Sequence, residues 1–121
     1  MPITVAIVDD SRTMLDMVGY TLREAGYNVI EAEDGQQALT MLSGQAANVV
    51  ITDLNMPNMD GLTLIRELRA MATYKSTPIL MLTTEADREK KEAGRAAGAT
   101  GWIVKPFNPD KLLSVVKKVA G

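Results

Sequence analysis

Three aspartates follow two apolar segments of this sequence. Carboxylates at this spacing are candidates for a catalytic or metal-binding site. Asp53 ends the apolar run at residues 49–52, while Asp9 and Asp10 end the run at residues 4–8. Carboxylates are costly to bury, so an acid at the tip of an apolar strand is held rigidly and still reaches solvent. One such aspartate is equally typical of an ordinary strand end. Two strands that deliver three acids indicate a site.

The repulsion among three acids restricts what this site can hold. Two unit charges about 4 Å apart repel by about 4 kcal/mol at an effective dielectric of 20, so the acids require a cation or a shared proton. The sequence has no histidine and no cysteine, so any metal must bind oxygen, which favours a hard cation such as Mg²⁺ or Ca²⁺. Completion of the shell by waters and a phosphoryl group is the habit of Mg²⁺. Replacing Asp10 or Asp53 by Asn is expected to stabilise the metal-free fold.

A hydroxyl and an ammonium group follow two further apolar runs. Thr83 ends the run at residues 78–82, and Lys105 ends the run at residues 102–104. In isolation, Thr83 is typical of a helix N-cap and Lys105 of a solvated or ion-paired lysine. Their joint position at strand ends favours the same site as the aspartates. The bond between Lys105 and Pro106 is a candidate cis peptide, although only about 5–6% of X–Pro bonds are cis in folded proteins.

Five short apolar runs alternate with five segments of helical periodicity. The runs begin near Thr4, Asn28, Val49, Pro78 and Gly101. This alternation predicts an α/β fold of the (βα)₅ type, a doubly wound parallel five-stranded sheet with helices on both faces. Such sheets bind ligands at the carboxyl ends of their strands, where the strand order reverses. The acids therefore converge if the first and third strands are neighbours.

The helical segments differ in the apolar surface that they offer. The first has a continuous apolar face, and Gly26 favours its end. That face comprises Met14, Leu15, Val18, Leu22 and Ala25. The last helix is predicted to start with Asn108 as N-cap and Pro109 in its first turn. The fourth, near residues 86–97, offers mainly alanine and contains Gly94, which costs about 1 kcal/mol relative to Ala, so we expect it to be the most mobile helix.

Length and composition indicate an ordinary globular domain. The chain has 121 residues, 46% of them apolar and 23% charged, and we expect one domain over residues 1–121 with no output domain. A formal net charge of −2 provides no basic field for nucleic acid or an anionic membrane. The sequence shows no signal peptide and no apolar run of bilayer length, which predicts a cytoplasmic protein.

The candidate residues together resemble the receiver domains of two-component response regulators. The resemblance rests on Ile7-Val8-Asp9-Asp10-Ser11, on Asp53-Leu54-Asn55-Met56-Pro57-Asn58-Met59-Asp60-Gly61, on Thr83 and on Lys105-Pro106-Phe107. It covers the whole chain in order, and it is strongest to the stand-alone chemotaxis receivers of the CheY type. The resemblance implies a flavodoxin-like sheet with strand order 2-1-3-4-5.

The resemblance also implies a set of roles at the acidic site. Asp53 would accept a phosphoryl group from a phosphohistidine on a partner kinase. Asp10, Asp53 and the backbone carbonyl of Asn55 would hold Mg²⁺, with Mn²⁺ as a substitute, and Asp9 would assist through water. Lys105 would pair with the phosphoryl oxygens. The protein would then be a phosphoacceptor switch that assists its own phosphorylation and dephosphorylation, and not a conventional enzyme.

A switch of this kind needs a second state. By resemblance, the Thr83 hydroxyl would move toward the phosphoryl group, and the aromatic side chain of Trp102 would fill the vacated space. Tyr or Phe is usual at the position of Trp102, and Thr84 stands where a smaller residue is frequent. Ordinary core packing is the alternative role for Trp102. Asn55 and Glu85 would tune the loss of the phosphoryl group to water.

The resemblance places the output face around the fourth helix and the fifth strand. The residues of this face are Lys90, Lys91, Trp102 and Lys111. The implied partners are a histidine kinase of the chemotaxis type, a flagellar motor switch protein or other output protein, and an accessory phosphatase. The chain is expected to be a monomer that binds neither nucleic acid nor membrane. A phosphate sink or a phosphorelay intermediate is the alternative role.

Two other classes of protein share this architecture. A flavodoxin-like FMN-binding module needs amides and hydroxyls that cradle a phosphate after the first strand, where Asp9 and Asp10 would repel it. A metal-dependent phosphatase with an aspartyl nucleophile typically has a second Asp two residues later as general acid. The corresponding residue after Asp53 is Asn55, which cannot donate a proton as a carboxylic acid does.

Overall fold

Five parallel strands form one sheet. The computed structural model describes residues 3–84 and 88–120, with the side chain of Thr84 excepted. The strands are Thr4–Val8 (β1), Asn28–Ala32 (β2), Val49–Asp53 (β3), Ile79–Thr84 (β4) and Gly101–Lys105 (β5). Their order in the sheet is β2-β1-β3-β4-β5. The predicted parallel sheet and its strand order are confirmed, and β1 and β3 are neighbours, as convergence of the acids requires.

Helices connect the strands in the predicted alternation. They are Arg12–Glu24 (α1), Gly35–Gly44 (α2), Gly61–Ala70 (α3), Arg88–Ala97 (α4) and Pro109–Ala120 (α5), with a 3₁₀ turn at Ala72–Tyr74. Within the described ranges, no helix combines the length and the apolar character needed to cross a membrane.

The two faces of the sheet carry separate apolar cores. Successive side chains of a strand point to opposite faces, and β1 shows this alternation along its length. Val5 and Ile7 pack in the core formed with α1 and α5. Ala6 and Val8 pack in the core formed with α2 and α3. The strand is buried on both sides, which explains why its sequence is apolar without alternation.

The sequence signals at helix ends are largely confirmed. Gly26 has a φ of 96°, a conformation that favours glycine after a helix. The Asn108 side chain accepts hydrogen bonds from the amides of Asp110 and Lys111 at 2.9 and 3.2 Å. The prediction that Ala25 contributes to the buried face is wrong. Ala25 is exposed and is the C-cap residue, one position past Glu24 at the end of α1.

Helix α4 approaches the sheet more closely than its composition suggests. Gly94 is buried, and a Cβ at this position would overlap the sulfur atom of Met81 on β4. The buried residues within this helix are Gly94 and Ala97. The glycine that weakens the helix as an isolated element is therefore required for its packing. The expected mobility of α4 stays a prediction.

Candidate functional site

The neighbouring strands β1 and β3 bring the three aspartates together. Val8 is paired with Thr52 in the parallel register, so Asp9 and Asp53 follow at the same edge of the sheet. One carboxylate oxygen each from Asp9, Asp10 and Asp53 can be chosen so that all three lie within 4.8 Å of one another. The condition set by the sequence, that the first and third strands are neighbours, is met, and the carboxyl ends of these parallel strands share an edge.

Asp53 is buried, and both of its carboxylate oxygens have partners. Its side chain Oδ1 accepts a hydrogen bond from the Leu54 amide at 2.8 Å. Its Oδ2 lies 3.1 Å from the Lys105 ammonium nitrogen. The Thr52 hydroxyl donates to the Asp53 carbonyl oxygen at 2.8 Å, which fixes the backbone below the carboxylate. The Oδ1 atom is thus held by the backbone, and the Oδ2 atom faces the Lys105 ammonium group.

Asp9 is the acid with an unsatisfied oxygen. It is 3% exposed, and its Oδ1 accepts a hydrogen bond from the Ser11 amide at 2.9 Å. Its Oδ2 is buried and has no hydrogen-bond partner among the described residues, and the Lys105 ammonium lies 3.5 Å away. Burial, and then the charge of Asp53, raises the pKa of Asp9. A carboxylate oxygen in this condition fits a hard divalent cation, so the residues present suit Mg²⁺.

Lys105 and Thr83 arrive at the same edge from β5 and β4. Lys105 bridges Asp9 and Asp53 and so neutralises part of the cluster. Thr83 is buried and is paired with Val104 in the ladder between β4 and β5. It is therefore a strand residue and not the cap of α4. The peptide bond between Lys105 and Pro106 is cis.

The loop after Asp53 returns to the strand at Gly61, the first residue of α3. The Gly61 amide donates to the Leu54 carbonyl oxygen at 2.9 Å. A Cβ at Gly61 would overlap the Asp53 carbonyl oxygen and lie 2.9 Å from the Leu54 Cα. The sequence places Gly61 only within the receiver motif and gives no sign of this contact. The start of α3 therefore packs directly on the backbone that carries Asp53.

The remaining predicted residues lie around this cluster. Asn55 is exposed in the loop that follows β3. Glu85 lies outside the described residues. Trp102 on β5 is partly buried, and the Lys91 ammonium nitrogen lies 5.0 Å from the centroid of its ring. This cation–π contact joins α4 to the strand that ends in Lys105.

The substitution Asp9→Asn is expected to stabilise the protein in chelator at pH 7, because the neutral amide avoids the cost of a buried negative charge. The raised pKa means that folding favours the protonated acid, so the contribution of Asp9 to stability is greatest at low pH and is lost as the pH rises through the folded pKa of Asp9. The gain expected for Asp10→Asn and Asp53→Asn stays a prediction, and the burial of Asp9 adds this residue to the set. Denaturant unfolding checks this.

The same Asp9→Asn protein should lose most of the stabilisation that Mg²⁺ gives to the wild type, because binding to the native state adds RT ln(1 + [Mg²⁺]/Kd). Unfolding at saturating Mg²⁺ measures that gain. A variant less stable than wild type in chelator would contradict the view that Asp9 is buried at a cost.

Comparisons with known proteins agree with this geometry. A family model described as the response regulator receiver domain matches residues 5–117. The chain is 41% identical over 117 residues to chemotaxis protein CheY1 of Helicobacter pylori, which covers 95% of this chain and 94% of that protein. The solved structure of chemotaxis response regulator CheY4 of Vibrio cholerae is 48% identical, with a TM-score of 0.94 over 98% of this chain and 99% of that chain.

The solved structure of a third relative contains magnesium. The receiver domain of a sensor histidine kinase from Pseudomonas aeruginosa PAO1 is 27% identical, with a TM-score of 0.93 over 100% of this chain and 99% of that chain. Its structure has a magnesium ion coordinated in the active site cleft. The family model matches nearly the whole length of the chain, and the acids lie with Thr83 and Lys105 at one edge of the sheet. The chain therefore belongs to the response regulator receiver domain family.

Proposed function

We propose that this protein is a phosphorylation-activated signalling switch of the chemotaxis type, which accepts a phosphoryl group on Asp53 from the phosphohistidine of a kinase. The observation that carries the proposal is the position of the Asp53 Oδ2 atom, which faces Lys105 at 3.1 Å inside a cluster of three acids. The similarity to chemotaxis proteins of Helicobacter pylori and Vibrio cholerae supports a role in chemotaxis signalling. A protein of this kind acts in the cytoplasm as a monomer.

The reaction is an in-line transfer that asks little covalent chemistry of the protein. A bond forms between phosphorus and Asp53 Oδ2 as the phosphorus–nitrogen bond of the donor breaks, and the donor imidazole leaves with the electron pair. The bond from the Leu54 amide holds Oδ1 and so orients Oδ2 toward the incoming group. Asp9, Asp10, Asp53 and the carbonyl of Asn55 would hold Mg²⁺, which supplies charge neutralisation at the phosphoryl oxygens when bound.

Lys105 changes partner during this transfer. Before it, the ammonium group neutralises Asp9 and Asp53. Once the phosphoryl group occupies Oδ2, the ammonium pairs with a phosphoryl oxygen, and the buried Thr83 on the adjacent strand donates its hydroxyl to another. Asn55, exposed beside the site, shapes the approach of the water that later removes the group. Glu85 is proposed to share that role.

Phosphorylation by a small donor tests the proposal. Acetyl phosphate and Mg²⁺ should add one phosphoryl group to the wild-type protein, as measured by intact mass. The same mixture with excess chelator should add none, because the acids then repel the donor. Turnover of other phosphate esters, or tight binding of FMN, would instead support a phosphatase or a flavodoxin-like module.

Trp102 reports the second state of the switch. Its ring is partly buried against the Lys91 ammonium, so a move into space beside β5 changes both its exposure and this contact. We expect Mg²⁺ with beryllofluoride to change the emission of this single tryptophan in wild type. The Asp53→Asn protein, which cannot hold beryllofluoride, serves as the control. Unchanged wild-type emission would assign Trp102 to ordinary packing.

The output surface is proposed to lie where β5 meets α4 and α5. A cavity of about 270 Å³ there is lined by residues that include Trp102, Pro106 and Lys111. Lys90 and Lys91 on the adjacent helix are partly exposed. A cleft with an aromatic wall and a basic rim suits a short amphipathic segment of an acidic partner, such as a flagellar motor switch protein.

A further inference from the structure

The loop between β3 and α3 is fastened to a helix that takes no part in the site. It spans residues 54–60 and contains Asn55, whose carbonyl is assigned to the metal. Three residues later, the Asn58 side-chain amide donates to the Asp34 Oδ2 at 2.9 Å. Asp34 is the N-cap of α2, so the hydrogen bond joins the loop to the start of that helix.

Asp34 uses its two oxygens for two tasks. The Oδ1 atom accepts from the Gln37 amide at 2.8 Å and caps α2. The Oδ2 atom accepts from Asn58. The Gln37 amide, and then Asn58, lowers the pKa of Asp34, so the acceptor is ionised at neutral pH. The bond is charge-assisted and lies at the surface, where solvent screens part of its strength.

The backbone at Asn58 indicates that the loop is held in an unusual shape. Asn58 has a φ of 68°. Among the described residues, it is the only one besides glycine with a positive φ. Asparagine tolerates this left-handed conformation better than most residues. Its side chain therefore combines the required backbone shape with the bond to Asp34.

A second contact lies beside the first. A Cβ at Gly35, the residue after Asp34, would lie 2.6 Å from the Met59 carbonyl oxygen and 2.9 Å from the Met59 Cβ. Met59 in turn packs against the core on the α2 and α3 side of the sheet. The start of α2 thus supports the loop by close packing as well as by the hydrogen bond.

From these contacts we infer that Asp34 and Asn58 are positioning residues for the metal site, acting through the loop that presents the Asn55 carbonyl. The inference rests on the proposed function. A loop fixed before the ion arrives loses less conformational freedom on binding, so the tether strengthens Mg²⁺ binding without touching the ion. The alternative is that the tether only stabilises the fold, in which case its loss leaves Mg²⁺ affinity unchanged.

The test separates these roles through variants that keep the local backbone. Asn58→Gly allows the positive φ but removes the amide, and Asp34→Ser keeps a helix cap but removes the second oxygen. The free energy of unfolding is measured at increasing Mg²⁺, which yields stability in chelator and the Mg²⁺ Kd in one experiment. Each single variant is expected to bind Mg²⁺ about three- to tenfold more weakly.

The double variant is the decisive arm. If the two residues act through one bond, Asp34→Ser combined with Asn58→Gly should bind Mg²⁺ no more weakly than the weaker single variant. Affinity losses that multiply in the double variant would overturn the inference. Hydrogen exchange in chelator gives a second readout, because the amides of residues 54–60 should exchange faster in all three variants before any metal is present.

A matched control removes a similar bond at the other end of the sheet. The Asn48 side chain accepts from the Thr4 amide at 2.8 Å. Asn48→Gly should lower stability and leave the Mg²⁺ Kd unchanged. A wild-type protein that binds no Mg²⁺ would overturn the proposed function together with this inference, whereas binding that the tether variants leave unchanged overturns the inference alone.

Discussion

Asp53→Asn is expected to reduce phosphoryl uptake from acetyl phosphate to background while leaving the fold intact. The carboxamide retains an oxygen that can accept the Leu54 amide, so the local backbone is preserved. It replaces the oxygen that faces Lys105 with a neutral group of low nucleophilicity, and the atom that forms the bond to phosphorus is lost. The effect is therefore a loss of the reaction and not a change in its rate.

The control for this substitution is Asp16→Asn. Asp16 is an exposed acid on α1 that pairs with Arg12 at 3.3 Å, so the change removes one negative charge at a distance from the cluster. Intact mass after reaction with acetyl phosphate and Mg²⁺ should show uptake equal to wild type in this protein. Uptake that persists in Asp53→Asn would assign the phosphoryl group to another side chain.

Gly61→Ala is expected to lower the free energy of unfolding by about 3 kcal/mol. The added methyl group would overlap the Asp53 carbonyl oxygen and lie 2.9 Å from the Leu54 Cα. Both atoms belong to the backbone, so the backbone must move, because no side-chain rotation can relieve the clash. Protein interiors are closely packed, so such a displacement also strains the residues around Gly61. Because the displaced backbone carries Asp53, Mg²⁺ binding should weaken as well.

Gly44→Ala provides the matched comparison. Gly44 is the last residue of α2, and a Cβ there would meet nothing within 4 Å. The same chemical change should therefore be neutral or stabilising by about 0.5 kcal/mol, through the reduced entropy of the unfolded chain. Denaturant unfolding of both proteins in chelator measures the difference. Equal stability of the two variants would mean that α3 does not press on the strand that bears Asp53.

The sheet and the acidic cluster were predictable because both follow from local patterns and one topological rule. Apolar runs that alternate with helical segments specify parallel strands, and parallel strands bring their carboxyl ends to one edge. The positions of Asp9, Asp53 and Lys105 at the ends of their runs placed them at one edge, and the strand order that makes β1 and β3 neighbours came from the resemblance to receiver domains. The resemblance to receiver domains added the roles, which no periodicity contains.

The contacts between separate elements were not predictable in the same way. Asp34 and Asn58 meet across 24 positions of sequence, and nothing local distinguishes this pair from other polar residues near turns. Gly94 was predicted only to weaken its helix, and Gly61 was named only as part of a motif. The packing role of both depends on how closely a helix approaches the sheet. The available signal was Asn58 itself, because asparagine often adopts a left-handed backbone conformation in loops. Such a residue restricts the path of a short loop.

The measurement that bears most directly on the account is the location of the added phosphoryl group. Wild-type protein is treated with acetyl phosphate and Mg²⁺, the acyl phosphate is reduced with borohydride, and the digested peptides are mapped by mass spectrometry. We expect one reduced residue, at position 53, and none when chelator replaces Mg²⁺. Modification at another residue, or equal modification of Asp53 in chelator, would contradict a site in which magnesium and Lys105 prepare Asp53 to receive the phosphoryl group.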